Sequence, residues 1–170
     1  MSRISFSKAH YITLGKDFCY AEFCINESRV RFDWRKQKLD DIHNHRWEII
    51  REQIREEMNF SKNATHDFNS LQSIAEARPD EIWITRYNGL MWWGFMSNDQ
   101  MDEDKISKYR NIRGCWKNSD TAENLLKIVK GKKWSINNKA ESVAKTLKYC
   151  ATECSVNDRR TLELLLNNEL

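Results

Sequence analysis

The stretch that decides the fold is Glu81-Ile82-Trp83-Ile84-Thr85-Arg86-Tyr87-Asn88-Gly89-Leu90-Met91-Trp92-Trp93-Gly94-Phe95-Met96. Two apolar, aromatic runs flank Asn88-Gly89, a dipeptide whose residues both tolerate positive φ, and this predicts a two-residue β-hairpin. Adjacent side chains on a strand point to opposite faces, so Trp92 and Trp93 cannot both fill one core. The Trp that faces away needs a covering helix or a binding partner.

Working outward, His10 to Leu14, Phe18 to Ile25 and Arg29 to Trp34 read as strands of an N-terminal β-meander, separated by Gly15-Lys16-Asp17 and Asn26-Glu27-Ser28. Alternation puts Val30, Phe32 and Trp34 inward and Arg29, Arg31 and Asp33 outward, leaving one face wet. From Leu39 to Met58 the period becomes helical, with His43, Trp47, Ile50, Ile54 and Met58 on one face. Asn59 to Ser70 reads as a polar loop, and Leu71 to Ala77 as a short helix stopped by Arg78-Pro79. Beyond the hairpin, Ser97 to Asp104 is an acidic loop and Asn111 to Trp116 a strand. Three helices follow: Thr121 to Lys130, Lys139 to Thr152 and Asp158 to Asn167, the last with Leu162, Leu165 and Leu166 as its stripe.

The expected class is α+β: a β-meander and a Trp-rich hairpin packed with an amphipathic helix and three C-terminal helices. The expected organisation is one compact domain over residues 1–170, with 59 to 70 as the boundary for any split into 1–60 and 70–170. The chain is 40% hydrophobic with seven Trp but only five Gly and one Pro, which excludes low-complexity and collagen-like classes. No apolar run reaches the length of a membrane span, and Met1 to Lys16 lacks a signal-peptide core, so a cytoplasmic address with no membrane partner is expected. Five Cys without a CxxC pair suggest reduced thiols, with Cys150 and Cys154 one turn apart on the Lys139 to Thr152 helix and its end.

Charge is segregated along the chain. Residues 1–104 carry 14 Lys and Arg against 18 Asp and Glu, while residues 105–148 carry 12 against 3. A basic block interleaved with Tyr109, Trp116, Trp134 and Tyr149 has the composition of a phosphate track with stacking partners. Lys105, Lys108, Arg110, Arg113, Lys117, Lys130, Lys132 and Lys133 are the candidate phosphate contacts. Arg86, Trp92, Trp93, Tyr109, Arg113 and Trp116 are the candidate recognition surface. The bland alternative is that these lysines only coat solvent faces of helices.

Catalytic patterns are poor. His43 and His45 with Glu48 offer metal-ligand chemistry, but on one helix the two imidazoles point about 200° apart. Pro79-Asp80 followed by Glu103-Asp104-Lys105 has the spacing of a two-carboxylate, one-lysine nuclease site, though the second part follows a polar loop instead of an apolar strand. Cys19 with His10 reads as packed strand residues. No phosphate-cradling glycine motif or nucleophile elbow occurs. No catalytic residue, metal ligand or cofactor is therefore assigned.

Arg78-Pro79-Asp80 leading into Glu81 to Phe95, with Tyr109-Arg110-Asn111-Ile112-Arg113-Gly114-Cys115-Trp116 after it, resembles the PUA and EVE-like β-barrels over about residues 71–116. The resemblance implies a pocket of aromatics and Arg that reads a nucleobase, often a flipped or modified one. Pro79 stands where that superfamily usually has Gly. The functional expectation is a non-enzymatic nucleic-acid-binding protein. The alternatives are an inhibitor or immunity-type protein that masks a protein target, and a metal-dependent nuclease.

Overall fold

The computed structural model describes residues 3–15, 18–32, 36–88, 90–118, 153–155, 159–167 and 169. In chain order they form β1 (Lys8–Ile12), α1 (Ala21–Glu27), β2 (Arg29–Phe32), α2 (Leu39–His43), α3 (Trp47–Glu57), α4 (Asn63–Ala75), β3 (Glu81–Tyr87), β4 (Leu90–Phe95), β5 (Asp102–Glu103), β6 (Lys108–Asn111), β7 (Lys117–Asn118), β8 (Glu153–Ser155) and α5 (Arg159–Leu166). The class is α+β. A five-stranded sheet runs β7-β4-β3-β1-β8, and a three-stranded sheet runs β2-β6-β5. Neither is closed into a barrel.

The hairpin forms as expected: Tyr87 pairs with Leu90 across a two-residue loop, and Asn88 takes a φ of 51°. Its alternation divides two cores. Trp83 and Met96 join Ile12, Val30, Ile50, Ile54, Phe68, Leu71 and Ile74 on the face covered by α1 to α4. Ile82, Ile84, Met91 and Trp93 join Phe6, Tyr11, Leu162, Leu165 and Leu166 on the face covered by α5. Both faces of the sheet are therefore buried, and the adjacent tryptophans each find a covering layer.

The N-terminal meander is not formed. β1 pairs in parallel with β3, whereas β2 pairs with β6 in the other sheet. Between them Phe18 to Ile25, expected as a strand, contains helix α1, which ends at Ser28 in the left-handed region (φ 57°, ψ 47°). Aromatic composition suggested a strand, but the buried residues Ala21 and Cys24 are three apart and share one helical face. Arg31, expected outward, is buried by the ion pairs described below.

The single helix expected over Leu39 to Met58 is two, broken where His45 takes a φ of 54°. Asn44 closes α2 by donating to the Asp40 carbonyl (2.7 Å). The polar loop expected over Asn59 to Ser70 is largely helix α4, whose Ala64, Phe68 and Leu71 face the core. Exposed Thr65, His66 and Asn69, weak helix formers, masked that stripe in the sequence. The suggested domain boundary thus falls on a core helix. The strand expected over Asn111 to Trp116 lies earlier, as β6, and Gly114 (φ 77°) turns the chain into β7.

Helix α5 lies where the third C-terminal helix was expected, while Thr121 to Lys130 and Lys139 to Thr152 lie outside the described residues. Cys154 is in strand β8, opposite Tyr11, and not on a helix, while Cys150 lies outside the described residues. No described helix is long and apolar enough to cross a membrane.

Gly94 is required for the join between sheets. A Cβ there would stand 2.6 Å from Ile112 Cγ2 and 3.6 Å from Trp116 Cε3, and two residues further on the same segments are joined by the Met96–Ile112 bridge. Gly94→Ala forces that packing apart and is expected to cost about 1–3 kcal/mol, read as a lower denaturant midpoint in chemical unfolding.

Candidate nucleic-acid interface

β4 presents rings to both sides of its edge. Trp92 is partly buried against the core covered by α1 to α4, and its indole N–H donates to the Tyr87 carbonyl (3.3 Å). Trp93 is only 7% exposed and meets Phe95 edge to face, with ring centroids 6.3 Å apart. β7 pairs beside them, Trp92 with Asn118 and Trp93 with Lys117.

Two exposed cations rest on these rings. Lys117 Nζ lies 5.2 Å from the Trp93 centroid, and the Arg113 guanidinium lies 5.1 Å from that of Phe95. The Arg113 amide donates to the Phe95 carbonyl (2.8 Å), which fixes the turn at Gly114 against the end of β4. Neither cation forms an ion pair with a described residue. A cation held over an aromatic face keeps its donors turned to solvent.

Other residues expected at the interface are engaged inside the fold. Arg110 is 3% exposed, and its guanidinium donates to the carbonyls of Ile74 (3.0 Å), Ala75 (2.8 Å), Ala77 (3.3 Å) and Ser97 (3.0 Å). Burial lowers its pKa from the ordinary arginine value; it remains a cation. Trp116 is buried, and its indole N–H donates to the Arg29 carbonyl (3.1 Å). Lys108 is buried with its Nζ 2.9 Å from Glu103 Oε2. Lys105 is exposed at the β5–β6 turn. Arg86 lies toward the other end of β4, 5.2 Å over the Phe18 ring. Lys130, Lys132 and Lys133 lie outside the described residues.

Sequence reading missed a second cluster, centred on Arg31. Its guanidinium binds both oxygens of Asp104 (3.0 and 2.8 Å), Glu27 (2.8 Å) and the Ser107 hydroxyl (3.2 Å). Phe23 and Tyr109 stack on it at 4.7 and 5.2 Å, and Arg29 lies 4.1 Å over Tyr109, whose hydroxyl donates to Asp102 (3.1 Å). Asp104 also accepts the amides of Ile106 (2.8 Å) and Ser107 (3.1 Å). These hydrogen bonds, the Arg31 bond first, hold its carboxyl well below the usual carboxylate range.

Each of the nuclease-like carboxylates has a cationic neighbour of its own. Asp104 serves Arg31, Glu103 serves Lys108, and Asp80 lies 3.5 Å from Arg78. His43 Nε2 is 2.7 Å from the Met101 carbonyl, and His45 Nδ1 is 3.5 Å from Glu76. Buried His10 stacks on Trp83 (4.3 Å) and meets Glu81 (3.2 Å), while Cys19 is exposed.

A carboxyl depressed in the folded state stabilises the fold above its unfolded pKa of about 4, and that stability is lost as pH falls through the folded value. Asp104→Asn is therefore expected to lower stability at neutral pH by about 1–3 kcal/mol, a range discounted because the Asp104 side chain is 32% exposed. In thermal melts the gap between wild type and variant should narrow below about pH 4.

The edge at β4 and β7 thus combines a half-buried indole, two solvent-facing cations and a start point for the basic block. Compared with known protein families, curated proteins and solved structures, the chain matches none of them.

Proposed function

We propose that this chain is a non-enzymatic nucleic-acid-binding protein, with the β4–β7 edge and the basic block of residues 105–148, apart from the buried Lys108 and Arg110, following the phosphate backbone. The observation that carries the reading is the contrast between two sets of cations. Arg3, Arg29, Arg31, Arg46, Arg55 and Arg78 are paired with carboxylates. Arg113 and Lys117 are instead exposed over aromatic rings, at the start of the segment with twelve basic and four-fold fewer acidic residues. Phosphates are bound by such solvent-facing charges, and the partly buried Trp92, on the opposite face of β4 from Trp93 and Phe95, offers a stacking ring across the edge. The resemblance of residues 71–116 to PUA and EVE-like domains leans the same way and adds base reading near Arg86 and Trp92.

The masking of a protein target has its own support in Ile49 and Phe60, 50% and 66% exposed along and just beyond α3. One titration separates the two readings. Fluorescence anisotropy with single- and double-stranded oligonucleotides should show binding at low salt that weakens steeply toward physiological salt. The double variant Arg113→Ala, Lys117→Ala should weaken it and reduce the salt slope by about two, one per phosphate contact. No binding at low salt to any strand would overturn the nucleic-acid reading.

A further inference from the structure

We infer that the cavity at the start of α5 is a phosphate-binding site, distinct from the β4–β7 edge. The cavity, about 340 Å³, is lined by Arg3, Arg159, Arg160, Glu163 and Leu164. Its three guanidiniums are held differently. Arg3 is pinned between Glu163 (3.6 Å) and Glu169 (3.1 Å). Arg159 donates to the Ser7 carbonyl (2.7 Å), which anchors it to the chain entering β1. Arg160 is exposed and forms no ion pair with a described residue.

The placement works against the helix that carries it. Arg159 and Arg160 stand in the first turn of α5, at the positive end of its dipole, with no acidic residue in that turn; Asp158, which precedes it, lies outside the described residues. The helix cannot shift to relieve this, because Leu162, Leu165 and Leu166 fix it on the sheet. Like charges gathered at the wrong helix end are a local conflict of the kind that marks binding sites. A phosphate group in the cavity resolves it, accepting from the fork of Arg160 beside the anchored Arg159, while the Glu163 carboxylate that lines the same cavity is held by Arg3. The chemistry is that of a phosphate group, whether from a nucleic-acid strand or from a free phosphate; only the first source rests on the proposed function.

The test uses the full chain and inorganic phosphate. Thermal melts are run against phosphate concentration, with chloride at matched ionic strength as control. Wild type should gain a saturable rise in melting temperature beyond the chloride control. Arg160→Ala should weaken half-saturation about tenfold, and Arg160→Lys should recover part of it. Without phosphate, Arg160→Ala should melt at or above the wild-type temperature, since it removes a repelled charge. Absence of saturation in wild type, or equal half-saturation in Arg160→Ala, overturns the site. An anisotropy arm with a single-stranded oligonucleotide identifies the source. Weaker strand binding by Arg160→Ala supports the site with a backbone phosphate in it. Saturable phosphate binding without any strand binding supports the site with a free phosphate, and fails only the nucleic-acid reading.

Discussion

The structure turns on one buried guanidinium. Helix C-termini leave carbonyls without partners, and a cation placed there is favoured by the helix dipole. Arg110 reaches from β6 to the end of α4, takes the carbonyls of Ile74, Ala75 and Ala77, and takes that of Ser97 just beyond β4. A buried charge is costly unless its donors are satisfied; the four acceptors take the two terminal nitrogens and offset most of that cost, while Nε is buried with no partner among the described residues. One side chain so ties the three-stranded sheet, the helical layer and the hairpin together. Three residues later comes Arg113, so the position of the exposed cations follows from the position of the buried one.

Arg31 does the corresponding work at the opposite side of β6. It joins the end of α1 to the β5–β6 turn through Glu27 and Asp104, with Phe23 and Tyr109 closing over its faces. Two arginines that local patterning assigns to solvent are thus structural. The recognition edge is correspondingly small among the described residues, and its two cations, Arg113 and Lys117, rest on rings instead of carboxylates.

What was legible in the sequence was local. Asn88-Gly89 fixed the hairpin because turn geometry is a property of two residues, and Leu162, Leu165 and Leu166 marked α5 because they share a helical face. The phase of Ile50 and Ile54 was also readable, but the break at His45 was not, since it depends on a backbone conformation that the periodicity does not carry. Arg31 and Arg110 were misplaced for a different reason. Their partners lie 73 and 36 residues away, as Asp104 and Ile74, and no alternation pattern encodes a pairing between segments so far apart in the chain. Arg113 and Lys117 were legible as charge; that they rest on Phe95 and Trp93 was not.

The most direct test of the account is to map the bound surface in solution. The full chain, labelled with nitrogen-15, is titrated at low salt with a short oligonucleotide while backbone amide and indole signals are followed. The account predicts the largest shifts at residues 92–95 and 113–118, with the Trp92 indole among them, and little change across Arg31, Asp104 and α3. Shifts centred on Ile49 and Phe60, or none at any strand concentration, would contradict it.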